Sequence, residues 1–107
     1  MKVHLIKAQT VKTFARKHAS SISSFNQWLG MINEIDDWET TNDILASFPS
    51  ADLLGKGTSR VIFNVGGNNY RILCKYQFGK SMVHLFVVWI GTHAEYDKPC
   101  AGISNIQ

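Results

Sequence analysis

The stretch RVIFNVGGNNYRILCKYQ, residues 60–77, decides the fold class. Apolar and polar residues alternate on either side of Gly66 and Gly67, which is the period of a half-buried β-strand. Two glycines supply the positive φ angles that a two-residue hairpin turn requires. We therefore predict an antiparallel hairpin in which Asn64 faces Asn69.

This register sorts the side chains of the hairpin by chemistry. The apolar face carries Val61, Phe63, Val65, Tyr70, Ile72 and Cys74, and the polar face carries Arg60, Asn64, Asn69, Arg71 and Lys75. A slip of one residue would bury the arginines, so the pattern selects this arrangement.

A second turn is predicted at 78–80, and residues 82–90 follow as an apolar strand. The continuity of that apolar run predicts burial on both faces. With Gly79 and Lys80 as the turn, the predicted cross-strand pairs are Arg71 with Val88 and Lys75 with His84.

The first half of the chain has the helical period instead of the strand period. The predicted elements are a strand at 3–6, helices at 8–18, 22–36 and 41–48, and a loop at 50–59. Ser20, Ser21 or Ser23 is expected to cap the second helix, and Thr41 or Asn42 the third. The predicted fold class is α+β, with an N-terminal helical hairpin packed on a small antiparallel sheet. That sheet consists of the short first strand and a C-terminal three-stranded meander.

Composition and charge bound the class of protein. With 107 residues, 45% hydrophobic and 18% charged, the chain is typical of one globular domain. No apolar run reaches the roughly 18 residues of a membrane span, and residues 1–7 are too short and polar for a signal peptide, so we expect a cytoplasmic protein without a membrane partner. Cys74 and Cys100 are predicted to be free thiols. The histidines lack ligand spacing, so neither a metal site nor a cofactor is predicted.

The net charge of +3 is unevenly distributed. Residues 1–19 contain lysines and an arginine but no acid, residues 34–52 contain acids but no base, and residues 56–98 are again mostly basic. This pattern predicts either an anion-binding surface built from the first helix and the sheet, or an ordinary solvated basic face.

The segment GTHAEYD, residues 91–97, concentrates groups that exchange protons. Thr92 and Glu95 fit a capping box, which predicts a short helical turn directly after the last strand. In such a turn His93 and Tyr96 share one face. An imidazole held on a rigid element beside a sheet is typical of acid–base chemistry.

Four segments together resemble the HigB family of bacterial toxins, which belong to toxin–antitoxin pairs. They are FPSADL (48–53), VIFNVGGN (61–68), YRI (70–72) and GTHAEYDK (91–98). The resemblance covers residues 1–98 and implies one RelE-like domain there. Residues 99–107 are expected to form a C-terminal tail, polar and small enough to be loose, and the sequence leaves its order open. It also implies ribosome-dependent cleavage of mRNA. The implied partner is a HigA-like helix-turn-helix antitoxin that neutralises the toxin and alone contacts operator DNA.

Cleavage of RNA without a metal uses the ribose 2′-hydroxyl as nucleophile and needs a base, an acid and positive charge at the phosphate. The catalytic candidates are His93, Tyr96, Arg71 and Lys75. The RNA-binding candidates are Lys12, Arg16, Lys17, Arg60, Asn64, Asn69, His84 and Asp97. Relatives often carry an arginine where this chain has Val88. A cation that would stabilise the transition state is therefore missing at this position.

Each candidate has a structural alternative. His93 would cap the turn, Tyr96 would be a core aromatic, Asp97 would form a surface ion pair, the asparagines would support the hairpin, and the cations would be solvated.

The sequence is compatible with three functions: a ribosome-dependent endoribonuclease toxin, a non-catalytic inhibitor on the same scaffold, or an inactive copy that binds antitoxin or operator DNA.

Overall fold

The computed structural model describes residues 1–55, 57–67 and 69–97, without the side chains of Tyr96 and Asp97. Within these residues the elements are β1 (Lys2–Ile6), α1 (Ala8–Lys17), α2 (Ile22–Glu34), α3 (Thr41–Ser47), β2 (Asp52–Leu54), β3 (Arg60–Val65), β4 (Tyr70–Phe78), β5 (Met82–Thr92) and α4 (His93–Asp97). The longer helices occupy the N-terminal half and four of the strands follow them. The predicted α+β class and RelE-like arrangement are confirmed.

The strands form one five-stranded sheet in the order β1-β5-β4-β3-β2. Strand β1 pairs with β5 in parallel, whereas the other pairs are antiparallel. The prediction of a wholly antiparallel sheet was therefore wrong, because no turn joins β1 to β5 and fixes their relative direction. Strand β2 lies inside the predicted loop at 50–59. Its three residues are too few to show a period.

The β3–β4 hairpin has a longer loop than predicted. Asn64 faces Arg71 rather than Asn69, so four residues separate the strands. Gly66 and Gly67 do adopt positive φ angles of 65° and 68°. Because the register differs by two residues, the side chains of β3 and β4 keep their predicted faces, whereas Asn69 lies in the loop instead of on the polar face.

The β4–β5 pairing also differs from the prediction. Arg71 lies opposite Gly91, and Lys75 lies opposite Phe86. The last cross-strand pair is Phe78 with Val83, so the connection between paired residues, 79–82, is two residues longer than the predicted turn. A β-bulge opposite Leu73 and Cys74 then leaves Val88 without a cross-strand partner in that register.

Helices α1 and α2 cover one face of the sheet, here called the inner face, and the opposite face is called the outer face. The inner core contains Val61, Phe63, Ile72, Cys74, Val83 and Leu85 from the sheet and Val11, Phe25, Trp28 and Ile32 from the helices. Burial raises the pKa of the Cys74 thiol, so the thiolate is disfavoured. Cys100 lies outside the described residues.

The outer face has an apolar cluster of its own. Ile62 and Leu73 are buried there, packed by Leu54 and Trp89. Farther along β5, Phe86 and Val88 are 39% and 43% exposed. The predicted burial of residues 82–90 on both faces was therefore wrong, since none of the described helices covers the outer face of β5 at these two positions.

The helix caps correct two local predictions. Helix α3 is capped at Thr40, not at Thr41 or Asn42, and the Asp43 carboxylate accepts the backbone N–H groups of Glu39 (2.8 Å) and Thr40 (2.9 Å). These bonds lower the pKa of Asp43. Ser21 stands at the N-cap of α2, but its hydroxyl donates to the carbonyl of His18. None of the helices in the described ranges is long and apolar enough to cross a bilayer.

Candidate active site

Arg71 and His93 meet at the end of the sheet. Arg71 lies on the outer face of β4 opposite Gly91, and α4 begins two residues after Gly91 with His93. The Arg71 Nη2 lies 2.6 Å from the His93 Nε2. Because a guanidinium only donates hydrogen bonds, the His93 Nε2 accepts this one, and the proton of the neutral ring lies on Nδ1. The contact leaves Nε2 with a lone pair directed at a cation.

Asn64 holds the guanidinium from the other side. Its Oδ1 accepts a bond from the Arg71 Nε at 3.1 Å, while its Nδ2 donates to the Ser50 carbonyl at 2.8 Å. Only this orientation of the amide satisfies both neighbours, since a guanidinium has no acceptor and a carbonyl no donor. Ser50, Asn64, Arg71 and His93 thus form one hydrogen-bonded chain across the outer end of the sheet.

The predicted capping box at the start of α4 is confirmed. The Glu95 carboxylate accepts the Thr92 backbone N–H at 2.8 Å, and the Thr92 hydroxyl accepts the Glu95 N–H at 3.1 Å. The backbone bond from Thr92, and less strongly its hydroxyl and the charge of His18, lower the pKa of Glu95. The backbone N–H of His93 also donates to the Asn69 carbonyl at 2.9 Å. The cap and the hairpin loop together fix where His93 leaves the sheet.

Removing the cap by Glu95→Ala is expected to lower the Tm by about 5 °C, because the first turn of α4 frays. Any cleavage of RNA that depends on His93 should fall roughly tenfold, because His93 loses its position. A carboxylate with a depressed pKa stabilises the fold above its ordinary value of 4.5. The Tm difference from wild type should therefore close as the pH falls below that value. Thermal unfolding across pH and single-turnover cleavage measure the two effects.

Asp43→Ala is the matched control, because it removes the equivalent carboxylate from the cap of α3. It should lower the Tm in a similar way and leave cleavage unchanged. Equal losses of cleavage in the two variants would show that the Glu95 cap contributes only general stability.

Gly91 leaves room for the indole of Trp89. A Cβ built at Gly91 would lie 2.6 Å from the Trp89 Cζ2 and 3.1 Å from the Glu95 Oε1, both too close. Trp89 lies opposite Leu73 and packs in the outer cluster. The absent side chain therefore allows the Trp89 indole to lie beside Gly91, the residue opposite Arg71.

Gly91→Ala is expected to destabilise the protein by about 1–3 kcal/mol, because the indole must leave its position to make room for a methyl group. Gly30→Ala is the control, since a Cβ there has no atom within 4 Å and the residue lies in the interior of α2. That change should stabilise by roughly 0.5–1 kcal/mol. Urea unfolding measures both, and a neutral Gly91→Ala would contradict the close contact.

The remaining candidates lie at increasing distances from Arg71. Lys75 is on the same face four residues along β4, about 13 Å away. Arg60 lies opposite Lys75, and its Nε is buried without a hydrogen-bond partner among the described residues. His84 lies opposite Gln77 and contacts the ring of His4 edge-on at 5.9 Å.

The basic residues of the first helix lie in another layer. Lys12, Arg16 and Lys17 are exposed on α1, which packs on the inner face of the sheet. They do not form one continuous face with Arg71 and Lys75. Tyr96 and Asp97 belong to α4, but their side chains lie outside the described part of the chain.

Sequence reasoning missed the roles of Trp89, Gly91 and Ser50 in this arrangement. A glycine inside a strand signals close approach of another group, and that signal at Gly91 points to the indole. No comparable signal exists for the Ser50 carbonyl. Within residues 1–55, 57–67 and 69–97, no three His, Cys, Asp or Glu side chains converge as metal ligands.

Comparison with known proteins identifies the family of the chain. The model of the HigB toxin family, described as the RelE-like toxic component of a toxin–antitoxin system, matches residues 21–99. The chain is also 29% identical over 96 residues to a protein of Escherichia coli O6:H1 (strain CFT073) named mRNA interferase HigB, covering 90% of each chain. Because the family model matches most of its length, the chain belongs to the HigB family of toxins.

Proposed function

We propose that this toxin is a cytoplasmic, ribosome-dependent endoribonuclease that cleaves mRNA and is neutralised by an antitoxin. The observation that carries the proposal is the contact between Arg71 and His93. In this contact a guanidinium, which can bind a phosphate, lies next to an imidazole, which can move protons, and none of the described helices covers this face of the sheet. Membership in the family supports the toxin role, and the name of the E. coli relative supports mRNA as substrate.

The reaction proceeds by proton transfer and phosphate stabilisation. A phosphodiester oxygen is a charged acceptor, so it competes with the neutral imidazole for the Arg71 guanidinium. His93 Nε2 is then available to accept the proton of the 2′-hydroxyl. The 2′-oxygen bonds to phosphorus, the bond from phosphorus to the 5′-oxygen breaks, and a second group protonates the leaving oxygen. The products are a 2′,3′-cyclic phosphate and a 5′-hydroxyl.

The other candidates have supporting roles in this proposal. Tyr96 is the proposed acid for the leaving oxygen, and Asp97 is proposed to orient His93. Lys75 holds a neighbouring phosphate, with Arg60 and His84 farther along the same face. Asn64 positions Arg71, and Asn69 contributes its backbone carbonyl to the placement of His93. The basic side chains of α1, Lys12, Arg16 and Lys17, are proposed to contact ribosomal RNA.

The partner is proposed to be a HigA-like antitoxin with a helix-turn-helix, through which the complex reaches operator DNA. The alternative of an inactive toxin copy drew its support from Val88, whereas a non-catalytic inhibitor would have no need of a titratable histidine at position 93. Val88 occupies the bulge, and Gly91 faces Arg71 instead. A missing cation at position 88 therefore leaves the contact between Arg71 and His93 intact.

The test is to express the chain and map the 5′ ends of cellular mRNA, and then to incubate the purified protein with mRNA in the presence and absence of ribosomes. We expect new 5′-hydroxyl ends within coding regions, and cleavage in vitro only when ribosomes are present. Growth arrest without cut RNA would identify a non-catalytic inhibitor. A folded protein that causes neither arrest nor cleavage would be an inactive copy.

A further inference from the structure

An apolar patch lies on the outer face of β5, away from the Arg71–His93 contact. Its centre is Phe86, which is 39% exposed, and the bulge residue Val88 beside it is 43% exposed. On the neighbouring strand Ile6 pairs with Phe86 and is half-buried. Helices α1 and α2 pack on the opposite face, so the ring of Phe86 is open to solvent on the same side of the sheet as Arg71.

The charges around this patch are positive. Lys75 is the cross-strand partner of Phe86, and Lys2 lies on the same face of β1. Asp52 is the single acidic residue in the five described strands, and it lies on β2 at the far edge of the sheet. An exposed aromatic ring beside cations is the arrangement that binds unpaired nucleotides, since the ring stacks on a base and the cation neutralises a phosphate.

The position of the patch fits a nucleotide next to the cut. Arg71 and Lys75 are four residues apart on one strand, so the ring opposite Lys75 lies about 13 Å along the sheet from the guanidinium. That separation is too large for the base attached to the reacting ribose and suits a neighbour on the same RNA strand. Lysine is depleted in the centres of protein–protein interfaces, which favours RNA over a protein as the occupant.

We propose that Phe86 is a stacking platform for an unpaired base of single-stranded RNA, with Lys75 on the adjoining phosphate and Val88 as an apolar wall. The proposal rests on the proposed function, because it assigns a further substrate contact to the same face. Stacking tolerates any base, so the platform contributes affinity and position rather than sequence preference.

The test measures the affinity of the full chain, carrying His93→Ala to prevent cleavage, for a fluorescent single-stranded RNA of about twelve nucleotides at low salt. Phe86→Leu keeps an apolar side chain but loses the ring, and should weaken binding roughly tenfold. Phe86→Trp should bind as tightly as the protein with Phe86 or more tightly. Ile22→Ala removes an apolar side chain of equal exposure, 39%, from the helical layer and should have no effect.

Abasic substitutions in the RNA make the assignment specific. One abasic position should weaken binding to the protein with Phe86, and the same position should have no further effect on the Phe86→Leu protein. Equal affinities with and without the Phe86→Leu change, or no RNA binding at all, would overturn the proposal, and the patch would then be a contact for a protein partner. If the chain that retains His93 cleaves mRNA but Phe86→Leu does not change RNA affinity, only this inference is wrong. If RNA affinity depends on Phe86 but the chain that retains His93 does not cleave mRNA, only the proposed function is wrong.

Discussion

Replacing His93 by alanine is expected to lower the rate of mRNA cleavage by about 10³-fold. The reason is that Nε2 is the proposed acceptor of the 2′-hydroxyl proton, and this atom lies against the Arg71 guanidinium in the structure. Affinity for RNA should change little, because the proposed phosphate contact of Arg71 does not depend on the imidazole. Single-turnover cleavage of mRNA on programmed ribosomes, together with growth after expression, measures the effect.

His93→Gln separates proton transfer from hydrogen bonding. Its amide oxygen can accept the bond from Arg71 but cannot take up a proton at neutral pH. If His93 only supports the structure, the glutamine variant should recover most of the activity that alanine loses. The matched control is His4→Ala, an exposed histidine on the edge strand β1, which should cleave like wild type. Cleavage by His93→Ala at the wild-type rate would remove His93 from the mechanism.

Arg71→Lys is expected to reduce cleavage by about 10²-fold although the charge is kept. A lysine has one ammonium in place of a planar fork, so it cannot meet Asn64, His93 and a phosphate oxygen with the same geometry. The loss should appear mainly in kcat, because stabilisation of the phosphorane-like transition state depends on that geometry. Cleavage rates at saturating and limiting programmed ribosomes separate the two parameters.

A double-mutant cycle with Asn64→Ala tests how the guanidinium is held. Asn64→Ala alone should slow cleavage, because Arg71 loses the bond at its Nε. In the Arg71→Lys background the same change should have almost no effect, since the lysine never formed that bond. Additive losses in the double mutant, or full activity of Arg71→Lys, would show that the observed clamp does not serve the reaction.

The sequence predicted those parts of the fold that local patterns determine. The hairpin over 60–77, the faces of its side chains and the cap at Thr92 and Glu95 follow from period and turn chemistry. The parallel pairing of β1, the short β2 and the bulge at Val88 do not. They depend on contacts between distant segments or on a single extra residue, and neither leaves a repeating pattern in the chain.

The candidate site, like the fold, was predictable from the sequence only in part. His93 and Arg71 were identifiable as chemical groups, because a histidine after a strand and an arginine on a polar face are visible in the sequence. Their contact was not predictable. It depends on the four-residue loop that brings Asn64 opposite Arg71 and on the bulge that brings Gly91 opposite Arg71, and each adds one local irregularity to the register.

Val88, the bulge residue of β5, determines which face of the sheet each later side chain of the strand occupies. Before it, Leu85 and Val87 point into the core; after it, Ile90 does, and Trp89 and Gly91 point outward. In an uninterrupted strand the indole would turn toward the helices and Ile90 toward water. One additional residue therefore keeps the segment that carries His93 on the side of the sheet where Arg71 lies, and shortening the strand there would separate these two proposed catalytic groups.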